Sequence, residues 1–164
     1  MSSSIPQIDF SPFLEGHEAG KKQVACQIGK ACREIGFFTL TDHGVSLELI
    51  QRVFDTNREF HQQPLEEKEE ILISLSKHHR GYHPFSAEAT DPNAKPDLKE
   101  AFDMALELPL DDPDVKAGKP FHGPNVWPRN PPQFRKILEE YYQALLLLGE
   151  QICRCFALDL GLDE

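Results

Sequence analysis

Seven histidines, at positions 17, 43, 61, 78, 79, 83 and 122, are the first residues of this 164-residue chain to test for chemistry. A mononuclear iron site of the two-histidine-one-carboxylate type needs His-x-Asp or His-x-Glu on one strand and a second, distant histidine. No histidine here has an acid two residues on, and no H-E-x-x-H occurs. His79 and His83 have the spacing of a shared helix face, but Gly81 between them and Pro84 after them oppose a helix. A metal site within the chain is therefore not expected. Nor is a catalytic residue: G-x-S-x-G, the P-loop and G-x-G-x-x-G are all missing from the sequence.

The residues best suited to touch a ligand are His79-Arg80-Gly81-Tyr82-His83. A permanently charged fork, a flexible glycine and an aromatic hydroxyl are what orienting an anionic or amphipathic molecule requires. The same residues also suit a surface loop anchored by its tyrosine. His43, in Asp42-His43-Gly44, could face a pocket from a strand end, but its glycine neighbour favours a turn in which the ring bonds to backbone. Glu66 to Glu70 reads as a solvated helix face. Cys26, Cys32, Cys153 and Cys155 lack C-x-x-C spacing and read as reduced, mostly buried packing thiols.

These residues need elements to position them. Ile5 to Phe10 is an extended segment with φ set by Pro6. A helix is expected from Glu18 to Ile35, where Val24, Ile28, Ala31, Cys32 and Ile35 recur at helical steps and Gly36 stops the run. Phe37 to Thr41 reads as a buried strand. Ser46 caps a second amphipathic helix through Phe60, and Pro64 opens a short acidic helix, LEEKEEIL. Lys77 to Pro96 shows no periodicity, the mark of a functional or disordered segment. Leu98 to Leu108 is a second strand candidate whose composition would also suit a helix, Asp111 to Pro132 a loop, and Pro132 to Leu160 a long apolar-striped helix.

The composition bounds the partners. Seventeen basic against 27 acidic residues give a formal charge of −10, which argues against nucleic acid and anionic membrane. The longest aliphatic run, Ala144 to Leu148, is far short of a membrane span. With no secretory signal pattern at the amino terminus, a cytoplasmic location is expected. Residues 1–164 read as one unit, yet isolated strands make a poor sheet unless others complete it, so the chain looks like the front half of something.

IPQIDF and EIGFFTLTDHGV, read together, resemble the amino-terminal signature of the iron- and 2-oxoglutarate-dependent oxygenases related to isopenicillin N synthase. REFHQQPLEEKEE, HRGYHP, KPDLKEAFDM and NVWP follow in the order of that family's elements. The narrower element KAGKPFHGP is similar to one in bacterial members that include the ethylene-forming enzyme. The resemblance implies an α+β fold: a helical cap plus the first strands of a double-stranded β-helix (jelly roll), with the rest of the barrel outside this chain. It implies a dioxygenase that uses Fe(II), 2-oxoglutarate and O2 to oxidise a small molecule, releasing succinate and CO2. The family's iron ligands and 2-oxoglutarate clamp lie beyond residue 164, so no metal or catalytic residue is assigned here. What the resemblance places in this chain is a substrate-contacting role for Arg80, Tyr82, His83, Glu88 and Thr90. Two other readings stay open: a freestanding, non-catalytic binding module, and an oxidase of the same fold that does not use 2-oxoglutarate.

Overall fold

The computed structural model describes residues 4–89 and 95–163. In chain order the elements are β1 (Gln7–Asp9), α1 (Ser11–Leu14), α2 (Glu18–Glu34), β2 (Thr39–Thr41), α3 (Leu47–His61), α4 (Leu65–Glu69), β3 (Gly81–His83), β4 (Ala101–Asp103), α5 (Pro113–Lys116) and α6 (Phe134–Asp159). The fold is α+β. Two compact units divide the chain: residues 1–53 with 138–164, and residues 54–137.

In the first unit, β1 pairs in parallel with β2, Ile8 opposite Leu40. Alternation along β1 turns Ile8 inward, between exposed Gln7 and Asp9. The Asp9 carboxylate then accepts bonds from the Ser11 amide at 2.9 Å and hydroxyl at 2.8 Å, starting α1. α2 buries Val24, Ala25, Ile28, Gly29 and Ala31. Val24, Ala25, Ile28 and Ala31 pack with Ile8, Phe10, Phe13 and Cys155 into one apolar cluster. Gly29 is there because a Cβ would overlap the Asp159 carboxylate, which pairs with Arg33. α2 ends at Gly36, whose φ of 85° is open to glycine at no steric cost.

Three expectations fail in this unit. The strand after α2 is only Thr39–Thr41, and Phe37 is 70% exposed rather than buried. Of the four thiols only Cys155 is buried. Cys26 points away from the side of α2 that carries Val24 and Ile28. Cys32 keeps their bearing but lies past Ala31, the last buried residue of the helix. α1 is not signalled by any periodicity because it is a single turn. By contrast, Ser46 does cap α3, its Oγ accepting from the Leu49 amide at 3.3 Å. His43 takes the structural role: its Nδ1 accepts from the Val45 amide at 3.2 Å.

The second unit forms around an aromatic cluster. Phe60 lies 5.0 Å from Phe134, 5.6 Å from Phe102 and 6.1 Å from Tyr82, ring centre to ring centre. Trp127 lies 5.8 Å from Phe102. The segment expected to lack structure supplies β3, antiparallel to β4 with Tyr82 opposite Phe102. The longer strand expected over Leu98 to Leu108 contracts to Ala101–Asp103. In the loop expected from Asp111, the Asp112 carboxylate accepts from the amides of Asp114 (2.8 Å) and Val115 (3.4 Å), starting α5. Pro64 stands at the N-cap of α4, one position earlier than a first-turn proline. Among the described residues, no helix is long and apolar enough to cross a membrane.

Candidate functional site

The site builds outward from β3. Gly81 has φ of 117°, and a Cβ there would overlap the Ile71 carbonyl, so only glycine lets the strand pass so close. The Tyr82 amide donates to that same carbonyl at 2.8 Å. Past β3 and β4 the two arms stay paired: the Ser86 amide donates to Lys99 O at 3.2 Å and the Asp97 amide to Glu88 O at 2.8 Å. β3 and β4 set His83 opposite Ala101, whereas Ser86 meets Lys99, so one extra residue has entered the 84–86 arm. That is a bulge, and Ser86 sits in it with φ of 59°.

Successive strand residues face opposite sides, so the hairpin has two chemically distinct faces. Tyr82 and Phe102 look into the aromatic cluster. His83 and Asp103 look the other way, His83 Nε2 lying 3.0 Å from the Asp103 carboxylate. Further along, Lys99 pairs with Glu88 at 2.8 Å and holds that exposed carboxyl below the ordinary value.

Tyr82 is 1% exposed and its hydroxyl donates to Glu100 Oε2 at 2.5 Å. The same oxygen accepts from Lys68 Nζ at 2.7 Å, and Lys68 also donates to the carbonyl of His61 at 3.1 Å. The Lys68 ammonium lies 5.1 Å from the centre of the Tyr82 ring. Burial and the Glu100 carboxylate push the Tyr82 hydroxyl well above its ordinary value, so it stays a proton donor to that carboxylate. Burial works to raise Glu100, but bonds from Lys68 and Tyr82 outweigh it and keep the carboxyl ionised.

Arg80 is 4% exposed and ties down the loop beneath. Its two terminal nitrogens donate to the carbonyls of His78 (2.6 Å), His79 (3.0 Å) and Phe121 (2.6 Å). Asn125, also buried, replaces a strand partner: its amide side chain bonds the N–H and C=O of Ala105 at 2.9 and 2.8 Å. Glu107 in turn accepts from the Asn125 side chain at 3.0 Å and the Trp127 indole at 3.3 Å.

The five residues expected to contact substrate therefore separate. Arg80 and Tyr82 are buried, with the Tyr82 hydroxyl and the two terminal nitrogens of Arg80 engaged inside the chain. His83 and Glu88 present partly open side chains on the hairpin. Thr90 lies outside the described residues. Sequence reasoning misses Glu100, Lys68, His61, Asp103 and Asn125, although Glu100 and Asp103 sit within KPDLKEAFDM and Asn125 within NVWP. A charged residue inside an apolar-flanked strand motif is the available signal. Among the described residues no group of three or more His, Cys, Asp or Glu could hold a metal, so the residues present do not fit an iron centre.

Three comparisons bear on this geometry. The family model described as non-haem dioxygenase in morphine synthesis N-terminal matches residues 5–130. The chain is 35% identical over 162 residues to the 2-oxoglutarate-Fe(II) type oxidoreductase hxnY of Emericella nidulans, covering 97% of this chain and 46% of that protein. It is 37% identical over 166 residues to Homoarginine-6-hydroxylase 2-ODD-C23 of Glycine max, covering 97% and 49%. In structure it matches a 2OG-Fe(II) oxygenase family protein from Caulobacter crescentus at a TM-score of 0.82 and 26% identity, covering 99% of this chain and 50% of that one. The chain spans about half the length of the curated relatives it matches.

Proposed function

This chain belongs to the non-haem dioxygenase N-terminal family of the iron(II)/2-oxoglutarate oxygenases related to isopenicillin N synthase, and we propose that it is the substrate-recognition and scaffold region of such a dioxygenase. The observation that carries the reading is a match running along nearly all of this chain but only half of each relative. In this reading the complete protein oxidises a small organic substrate with O2, converts 2-oxoglutarate to succinate and CO2, and works in the cytoplasm. Iron and 2-oxoglutarate are held, in this reading, by residues outside these 164. The chain's own contribution is orientation. His83 and Glu88 meet the substrate from the open side of the hairpin, while Arg80 and Tyr82 hold the hairpin in position. Thr90 belongs to the same proposed contact set.

Intact mass of the natural gene product, followed by an assay with Fe(II), 2-oxoglutarate and O2, tests this. A mass well above 18.6 kDa with oxygen-dependent succinate release is the expected result. A mass of 18.6 kDa without succinate would overturn it and leave a non-catalytic binding module. Oxygen consumption that needs iron but not 2-oxoglutarate would point to an oxidase of the same fold. The KAGKPFHGP element supports a second, finer reading, ethylene formation from 2-oxoglutarate. Headspace ethylene in the same assay checks it, and succinate without ethylene would remove it.

A further inference from the structure

We propose that Lys68 is the positioning residue of the β3–β4 hairpin, setting where His83 and Glu88 stand, a role in recognition that rests on the function proposed above. Lys68 is the odd member of α4: Glu66, Glu67 and Glu69 are exposed, whereas Lys68 is 7% exposed. An ammonium has three N–H donors and accepts nothing, so a buried one must be met by electron-rich groups. Three other segments supply them. The carbonyl of His61, at the end of α3, lies 3.1 Å away, and Glu100 Oε2, just before β4, lies at 2.7 Å. The Tyr82 ring of β3 faces the charge, its centre at 5.1 Å.

Both proposed substrate contacts are one step from this anchor. Tyr82, whose hydroxyl meets the same Glu100 oxygen at 2.5 Å, is followed by His83, and alternation turns one inward and the other outward. Glu100 is preceded by Lys99, which pairs with Glu88 at 2.8 Å. Among the described residues Lys68 bonds to neither His83 nor Glu88, so its influence on them passes through Tyr82 and Glu100. A shift of either anchor residue carries its neighbour with it, because the backbone has only two soft dihedrals per residue.

Strength of the fold is the competing explanation, and magnitudes separate the two. Removing one partner of a buried ion pair is costly, but replacing both by neutral groups often is not, since the desolvation of two ions offsets most of their attraction. What is lost with the pair is direction. The rings around Phe60 hold the hairpin's inner face by apolar contact, which is non-directional and leaves three-residue strands free to pivot. The bonds at 2.7 and 2.5 Å to one carboxylate oxygen fix that pivot.

Lys68→Met removes the charge and keeps most of the side chain's length. The ring C–H proton resonances of His83 in the full natural protein report the outcome, with those of His43, in the other unit, as control. Lys68→Met and Glu100→Gln are each expected to shift or broaden the His83 signals and to leave His43 as in the wild type. In the double variant the displacement should not exceed the larger single one, since both act along one path. A Lys68→Met protein that keeps the wild-type His83 signals, however far its urea midpoint falls, would overturn the proposal. A purely stabilising residue lowers the midpoint and leaves the native spectrum alone. Displacements that add in the double variant would overturn it as well. Should neither single variant fold, Tyr82→Phe, which keeps the ring and cuts only the bond to Glu100, decides by the same signals: moved, they support the proposal, and unmoved, they refute it. His83 displaced in a protein that releases no succinate upholds Lys68 as the positioning residue and counts against the oxygenase alone.

Discussion

The two units hold themselves together by different means. In residues 1–53 with 138–164, the buried cluster is apolar throughout, from Ile8 and Phe10 to Ile28 and Cys155. Its long-range ion pair, Arg33 with Asp159, joins an exposed arginine to the end of α6. In residues 54–137 the aromatic cluster is wrapped in buried polar groups. Thr56, Lys68, Arg80 and Asn125, the buried polar or charged residues among those described, all belong to this unit. Apolar burial is non-directional and tolerates small shifts of register. Hydrogen bonds are directional, and a buried donor left unpaired is costly, so the second unit is specified more narrowly.

Substitutions can break or sharpen this contrast. The largest effect is expected from Phe60→Ala, which removes a ring in contact with Tyr82, Phe102 and Phe134. About 4 kcal/mol should be lost, read by urea unfolding with Trp127 fluorescence. A loss below about 1 kcal/mol would show that the polar shell, not the rings, carries the unit. Next comes Glu100→Gln, which leaves Lys68 nearly buried without its carboxylate, at about 3 kcal/mol. Its counterpart in the first unit, Arg33→Ala, should cost less, because Arg33 is 61% exposed although Asp159 is 11% exposed. Equal losses from the two would erase the distinction drawn here.

Asn125→Ala is expected to cost about 2 kcal/mol, because it orphans both the N–H and the C=O of Ala105. Asn125→Asp should recover none of it, because a carboxylate oxygen would replace the nitrogen that donates to the Ala105 carbonyl and to Glu107. The smallest perturbation is chemical. In the native chain Cys26, Cys32 and Cys153 should react promptly with a thiol reagent while Cys155 stays protected until unfolding. Four equally slow thiols would restore the packing role that their sequence neighbours suggest.

Legibility follows the same division. α2, α3 and α6 are long enough for a repeated apolar step to stand out, and their bounds agree with expectation to within a few residues. The errors lie where a helix stripe outlasts the core beneath it, as at Cys32, or where a β-prone residue precedes the strand, as at Phe37. In the second unit the strands have three residues each, too few for alternation to register. Lys68 shows the limit well. It lies within a run of four exposed acids, and the solvated face expected there is present, yet this one lysine turns inward.

What the sequence determined by itself is the ordered set of family motifs, the three long helices and the lack of any His-x-Asp or His-x-Glu pair. All of these are carried by spacing along one stretch of chain. What only the tertiary structure decided is which members of those motifs are buried and whom they meet. Tyr82 meets Glu100 across 18 positions, Lys68 meets it across 32, and Arg80 reaches Phe121 across 41. Residue type states what each group can donate or accept, but the packing of the aromatic cluster sets the distances that turn those capacities into bonds.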